Sequence, residues 1–224
     1  MVAKNELEKI YTNKFLLLSI LFLAIGSSYF ILGYHRIDMN LYFYCKRSEF
    51  FNIFFLSATK LAEFYATAII IIVLFYYRNS YALFYILLTI LVTLLVYVFK
   101  HHIFGYVRPS LYLKDHLEIQ AVAGAPLLQN YSFPSGHTTF IFAGMCYLSL
   151  LVKSHFYQIV FFVLALLCGL SRIYLFQHFY VDVYVGSILG ICITLLLYFI
   201  LHEKLLQSTN PYLSFSLKKY REEK

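Results

Sequence analysis

Three short polar clusters interrupt a chain that is otherwise largely apolar. They are Lys100 with Arg108-Pro109, then Pro134-Ser135-Gly136-His137, then Ser171-Arg172 followed by His178 and Asp182. Their side-chain types define a narrow chemistry. Lys100, Arg108 and Arg172 in a low-dielectric pocket suit a dianion, because a guanidinium offers phosphate oxygens a planar fork of donors. Ser135 and Gly136 precede an apolar run, so their backbone N–H groups would face outward at a helix N-terminus. Such a terminus is a natural anion site, and glycine permits close approach. His137 and His178 can each move protons or attack near neutral pH. Asp182 follows His178 by four residues, which places the two on neighbouring helical surface. There the carboxylate can hold one ring nitrogen as N–H and leave the other free to attack phosphorus. Each cluster also has a plain structural reading. Bases at helix ends snorkel to headgroups, Ser-Gly starts a helix, and a His–Asp contact joins two helices.

The elements that must position these residues can be read from composition. Of 224 residues, 61% are hydrophobic and 13% charged, against about 45–50% and 25% in a globular domain. So few charges cannot cover a water-soluble surface. Only four prolines, nine glycines and four cysteines exclude collagen, disorder and a disulfide scaffold. The expectation is an all-α membrane bundle of six transmembrane helices, at 15–34, 57–77, 81–99, 135–152, 156–175 and 181–201. Residues 1–207 form this domain, and 208–224 form a polar tail expected to fray. The first span reads as retained rather than cleaved, since no A-x-A site ends it. With six crossings all three polar clusters fall on the same face, which suggests one composite site.

Charge sets the orientation. The chain carries 18 Lys+Arg against 11 Asp+Glu, but the bases are dispersed, so anionic headgroups rather than nucleic acid are the expected partner. The face bearing both termini holds ten bases and the opposite face seven. By the positive-inside rule both termini are cytoplasmic and the composite site lies at the outer, periplasmic face of the inner membrane. Cys146, Cys168 and Cys192 read as packing residues. Lys60 and Glu63, three apart, are expected to neutralise one another. His101, His102 and His116 lack ligand-like spacing, so neither metal nor cofactor is expected.

The conjunction of Arg108-Pro109, Pro134-Ser135-Gly136-His137 and Ser171-Arg172 with His178 and Asp182 resembles the three-part signature of the type 2 phosphatidic acid phosphatase superfamily. The likeness is close from about Lys100 to Asp182. One departure stands out: that family has six residues between its lysine and Arg-Pro, whereas Lys100 has seven before Arg108, and His101 takes the usual place. The resemblance implies a metal-free phosphoryl transfer. His178 would form a phosphohistidine with Asp182 orienting it, and His137 would protonate the leaving oxygen and later activate water. Lys100, Arg108, Ser135, Gly136 and Arg172 would bind phosphate. It further implies a bacterial membrane phosphatase acting on a phosphate monoester or diphosphate of a lipid, such as lipid A, undecaprenyl diphosphate or phosphatidylglycerol phosphate, with the first two preferred for an outward-facing site. Two other classes compete. One is a lipid phosphotransferase using the same intermediate, and the other a non-enzymatic protein that binds or transports anionic lipid.

Overall fold

A computed structural model describes residues 8–201, 204–205 and 207–218. It is helical throughout the apolar segments. In chain order the helices are α1 (Lys14–Ile31), α2 (Asp38–Cys45), α3 (Glu49–Thr59), α4 (Phe64–Tyr77), α5 (Asn79–Val98), α6 (Pro109–Tyr112), α7 (Gly136–Leu151), α8 (His155–Tyr174), α9 (Tyr180–Leu201) and α10 (Pro211–Ser214). The segments Lys14–Ile31, Asn79–Tyr112, His155–Tyr174 and Tyr180–Leu201 are long and apolar enough to cross a bilayer. A fifth crossing counts only if α3 and α4 are taken together, since they bend by 50° at a short break. The remaining expected span, α7, has 16 residues, just below the roughly 17 a crossing needs. The expected six transmembrane helices are therefore four or five on length and composition.

Two local departures have physical causes. The expected straight span at 57–77 is broken by a 3₁₀ turn at Lys60–Ala62 and an extended Glu63. Nothing in Lys60-Leu61-Ala62-Glu63 disfavours a helix, so the break is tertiary: Thr59, at its start, turns its hydroxyl to Arg172 at 2.5 Å. Lys60 and Glu63 are both exposed and do not pair. The second departure is α7, whose start is recessed. Ser135 N donates to Asp182 O at 3.0 Å, and an added Cβ on Gly186 would lie 2.9 Å from Ser135 O. Helix α7 thus starts level with the second turn of α9, about one turn below its first residue.

Helices α7 and α9 run parallel and very close. An added Cβ on Gly190 would lie 2.4 Å from Thr139 O and 2.9 Å from Ala143 N. Gly186, Gly190 and Thr194 recur every four residues on one face, a small-residue stripe of the kind that lets membrane helices touch. Thr194 Oγ1 donates to Ala143 O at 3.1 Å. The first helix is built into this bundle: Asn13 Nδ2 donates to Ser149 O, and Lys14 N to Gln158 Oε1. The tail does not simply fray. Arg78 Nη2 donates to Ser208 O and Asn79 Nδ2 to Tyr212 O, docking its first residues at the start of α5; 219–224 lie outside the described residues. Cys146 and Cys168 are buried as expected, but Cys192 is exposed on the outside of the bundle.

Gly190→Ala places a methyl against backbone that cannot rotate away. It should lower unfolding stability in detergent by about 1–3 kcal/mol, the usual cost of overpacking. Ser187→Ala, on the same helix, should leave stability nearly unchanged. Equal midpoints for the two variants would show that the close approach contributes nothing.

Candidate active site

The site is assembled at the end of the bundle where α7 and α9 begin and α8 ends. The turn after α8 brings Arg172 and His178 together: His178 N and Gln177 N both donate to Arg172 O, at 3.1 and 3.0 Å. His178 is 1% exposed. Its Nδ1 lies 3.3 Å from Asp182 Oδ2, and its Nε2 lies 3.4 Å from Arg108 Nη1. These contacts set the tautomer. A guanidinium nitrogen can only donate, so Nε2 must present a lone pair, and the ring proton sits on Nδ1 facing the carboxylate. Asp182 is itself fixed by Ser132 Oγ at 2.5 Å and by Phe179 N at 3.0 Å. Burial first, then the charges of Arg108, Lys100, Arg172 and His137, push His178 well below the ordinary histidine range.

Both arginines are buried and held on several sides. Arg108 donates from Nε to Asn130 O at 2.7 Å, from Nη1 to Gln177 O at 2.8 Å and from Nη2 to Tyr131 O at 3.4 Å. Arg172 donates from Nη1 to Thr59 Oγ1 and from Nη2 to Gln177 Oε1. Its Nε is buried with no hydrogen-bond partner among the described residues. Ser135 caps α7, its Oγ accepting from Thr138 N and from Thr138 Oγ1.

Lys100, His137 and Gly136 meet at a cavity of about 320 Å³. His178, Arg108 and Arg172 are not in its wall, but Lys100 and His137 feel the charges of both arginines, and His178 feels those of Lys100 and His137. The extra residue before Arg108 is taken up locally. Phe99–Phe104 form a π turn, in which Gly105 N donates to Lys100 O at 3.2 Å. A bond from i+5 encloses one more residue than an α-helical bond, so Lys100 faces the cavity despite its sequence offset. His101 also lines the cavity and packs against Tyr97 and Tyr131 with tilted rings, the centroids 4.6 and 4.2 Å away. Through Ala62, Thr93 and Phe140 the cavity adjoins an apolar groove of about 480 Å³ between α4 and α5. The groove residues Phe64 and Leu94 are 79% and 59% exposed, so it opens sideways on the outside of the bundle.

All eight sequence-nominated residues thus converge on one end of the bundle. Their supports went unread: Thr59, Ser132 and Gln177, together with Asn40, whose Nδ2 donates to the carbonyls of Ile173 and His178 at 3.0 Å each. Gln177 and Ser132 sit beside the motifs and so carried a weak signal. Thr59 and Asn40 lie far away in sequence and carried none.

The comparisons with known proteins agree with this architecture. Residues 81–205, over half of the chain, match the family model of the PAP2 superfamily, and the chain belongs to that superfamily. It is similar to the crystal structure of Aquifex aeolicus LpxE, with 30% identity and a TM-score of 0.64 over 71% of this chain and 92% of that one. The structure of the first transmembrane PAP2 type phosphatidylglycerolphosphate phosphatase from Bacillus subtilis shares the fold, at 23% identity and a TM-score of 0.63 over 84% of this chain and 96% of that one. A Drosophila melanogaster protein provisionally named a phosphatidate phosphatase is 36% identical over 70 residues, 26% of this chain and 18% of that protein. The matched stretch is thus less than a fifth of that relative's length.

The tautomer is open to direct measurement. In protein labelled with ¹⁵N-histidine, His178 should show a protonated Nδ1 and a bare Nε2. Because its pKa is lowered, the neutral ring should persist as pH falls through the range where free histidine titrates. An imidazolium at pH 7 would contradict the geometry.

Proposed function

We propose that this membrane phosphatase hydrolyses a phosphate monoester or diphosphate of a membrane lipid, of the lipid A or undecaprenyl diphosphate type. The reaction runs through a phosphohistidine on His178 and needs no metal ion. One observation carries the reading: the lone pair of His178 Nε2 stands beside Arg108, with the unpartnered Nε of Arg172 in the same buried cluster. The sideways groove beside Lys100 and His137 supports a lipid as the leaving group. Phosphatidylglycerol phosphate, the third lipid phosphate that the resemblance implies, belongs in the same test.

The chemistry balances with the residues present. Arg108, Arg172 and Lys100, helped by Ser135 and the Gly136 N–H, hold the phosphate oxygens and supply the positive charge that Mg²⁺ provides in other phosphoryl-transfer sites. His178 Nε2 attacks phosphorus, and a P–N bond forms as the P–O bond to the lipid breaks. Asp182 accepts from Nδ1–H and stabilises the charged ring. His137 gives its proton to the leaving oxygen, then takes one from water as that water attacks phosphorus. The P–N bond breaks, inorganic phosphate leaves, and His178 returns to its starting tautomer.

The site faces the outer side of the inner membrane, and both termini are cytoplasmic. The ten-to-seven base count supports this, as does the gathering of Lys14, Arg78 and Lys153 at the end opposite the site. Lys4, Lys219, Arg221 and Lys224, which add to that count, lie outside the described residues.

Incubating purified protein with a panel of lipid phosphates should release inorganic phosphate, unaffected by EDTA and blocked by vanadate. Loss with EDTA restored by a metal ion would refute the metal-free site. Phosphate passed to a second lipid without release would identify a phosphotransferase, and no turnover would leave an anionic-lipid binding protein.

The two histidines should separate kinetically. His178→Ala should abolish both turnover and trapped phosphoenzyme. His137→Ala should lose the roughly 10²–10⁴-fold of general acid catalysis on a lipid. With a nitrophenyl phosphate, whose leaving group needs little protonation, it should still form the intermediate. Acid-labile phosphate recovered on His178→Ala protein would move the nucleophile elsewhere.

A further inference from the structure

Every acceptor that meets Arg108 and Arg172 is neutral. Arg108 is held by the carbonyls of Asn130, Gln177 and Tyr131 and touches His178 Nε2; Arg172 is held by the Thr59 hydroxyl and the Gln177 amide oxygen. Asp182 is within electrostatic range of Arg108, but its Oδ2 is turned to Ser132, Phe179 N and His178. Glu63 acts on Arg172 only at longer range and is exposed. Buried guanidiniums ordinarily take a carboxylate partner. Here such a partner would cancel the charge that has to meet a dianion.

Gln177 is the residue common to both arginines. Its backbone oxygen accepts from Arg108 Nη1 and its side-chain oxygen from Arg172 Nη2. Its own Nε2 donates to Pro126 O at 3.1 Å. It is 4% exposed, so these bonds do not compete with bulk water. Holding Arg172 at Nη1 and Nη2 leaves Nε as the buried donor without a partner.

We propose that Gln177 is a positioning residue of the phosphate site, aiming both guanidiniums and tying them to the 126–131 segment through a neutral acceptor that leaves their charge intact. The inference rests on the phosphatase reading above and concerns how that site keeps its affinity for a dianion. Two substitutions separate aim from charge. Both lose the amide donor to Pro126 O, so they are compared with each other as well as with wild type. Gln177→Met keeps length and volume but also loses the acceptor. Gln177→Glu keeps the acceptor and adds a carboxylate, which pairs with Arg172 and opposes an incoming anion. That carboxylate would sit on Arg172, whose charge acts on His178, and His178 already faces Asp182 on α9, Arg172 on α8, His137 on α7, and Lys100 and Arg108 before α6. A new negative charge there favours the imidazolium, so the acid limb of the rate profile must move to higher pH.

The test compares kcat, KM, inhibition by inorganic vanadate and the pH profile of kcat/KM for wild type and both variants, as full-length protein in detergent. Gln177→Met should lower kcat/KM and weaken vanadate by roughly 10- to 100-fold, the loss of one hydrogen bond to a charged group, with the acid limb unmoved. Gln177→Glu should weaken vanadate further, although it restores the acceptor, and should shift the acid limb upward. Unfolding midpoints should stay near that of wild type. The proposal fails if Gln177→Met stays within about twofold of wild type in kcat/KM and vanadate inhibition, or if Gln177→Glu binds vanadate as wild type does. It also fails if losses merely track a fall in the unfolding midpoint. A wild type that releases no phosphate removes the underlying reading itself, whereas an active wild type with indifferent variants removes this inference alone.

Discussion

Concentrated positive charge in a nonpolar bundle is costly unless it is paired, yet pairing would spend the attraction that a phosphate site needs. The structure resolves this conflict with dipoles. Backbone carbonyls, one hydroxyl and one amide surround Arg108 and Arg172, so each guanidinium is solvated by protein without being neutralised. Those acceptors come from elements far apart in sequence: Thr59 at the end of α3, Asn130 and Tyr131 in the long loop, and Gln177 between α8 and α9. Fixing them requires that the ends of several helices meet in one layer, and the rest of the architecture serves that meeting.

The helix packing answers the same requirement. A helix beginning at the membrane surface would place its free N–H groups in water. Recessing α7 by about one turn beside α9 instead brings Gly136 to the depth of Asp182. There the expected anion-facing Ser135 N–H is taken up by Asp182 O, and only the serine hydroxyl is left for a ligand. The small residues Gly186 and Gly190 make that depth reachable. The shortness of α7 is thus a consequence of where its first turn must lie. The break between α3 and α4 has a comparable origin, since the chain leaves helical geometry just where the Thr59 hydroxyl is engaged by Arg172.

The candidate site residues were legible in the sequence because ionisable side chains are rare beside apolar runs, and three groups of them bordered the expected spans on one face. Helix positions were legible for the same reason: five of the six apolar runs became helices within a few residues of the expected limits, and the sixth bent. The features that the sequence hid are neutral and common. A threonine, a glutamine and a serine announce little by their type, and their value comes from which buried atom they touch. The bend at Lys60–Glu63 was hidden as well, because its residues favour a helix and only the folded context overrides them. Lys60 and Glu63 looked like a mutual pair only on the assumption of an unbroken helix.

The π turn at Phe99–Phe104 has a bearing on how relatives of this chain are compared. Its wider ring absorbs one residue without rotating the downstream backbone, so the chain tolerates a length change at the very edge of a site while Arg108 keeps its place. Column-by-column alignment sets His101 against the family lysine and records a substitution. Read through the π turn, the same difference becomes an insertion, with Lys100 lining the cavity. Homologues that differ by one residue here should therefore be matched by backbone register rather than by motif spacing, and a lysine that looks lost in a string of letters can still be present in space.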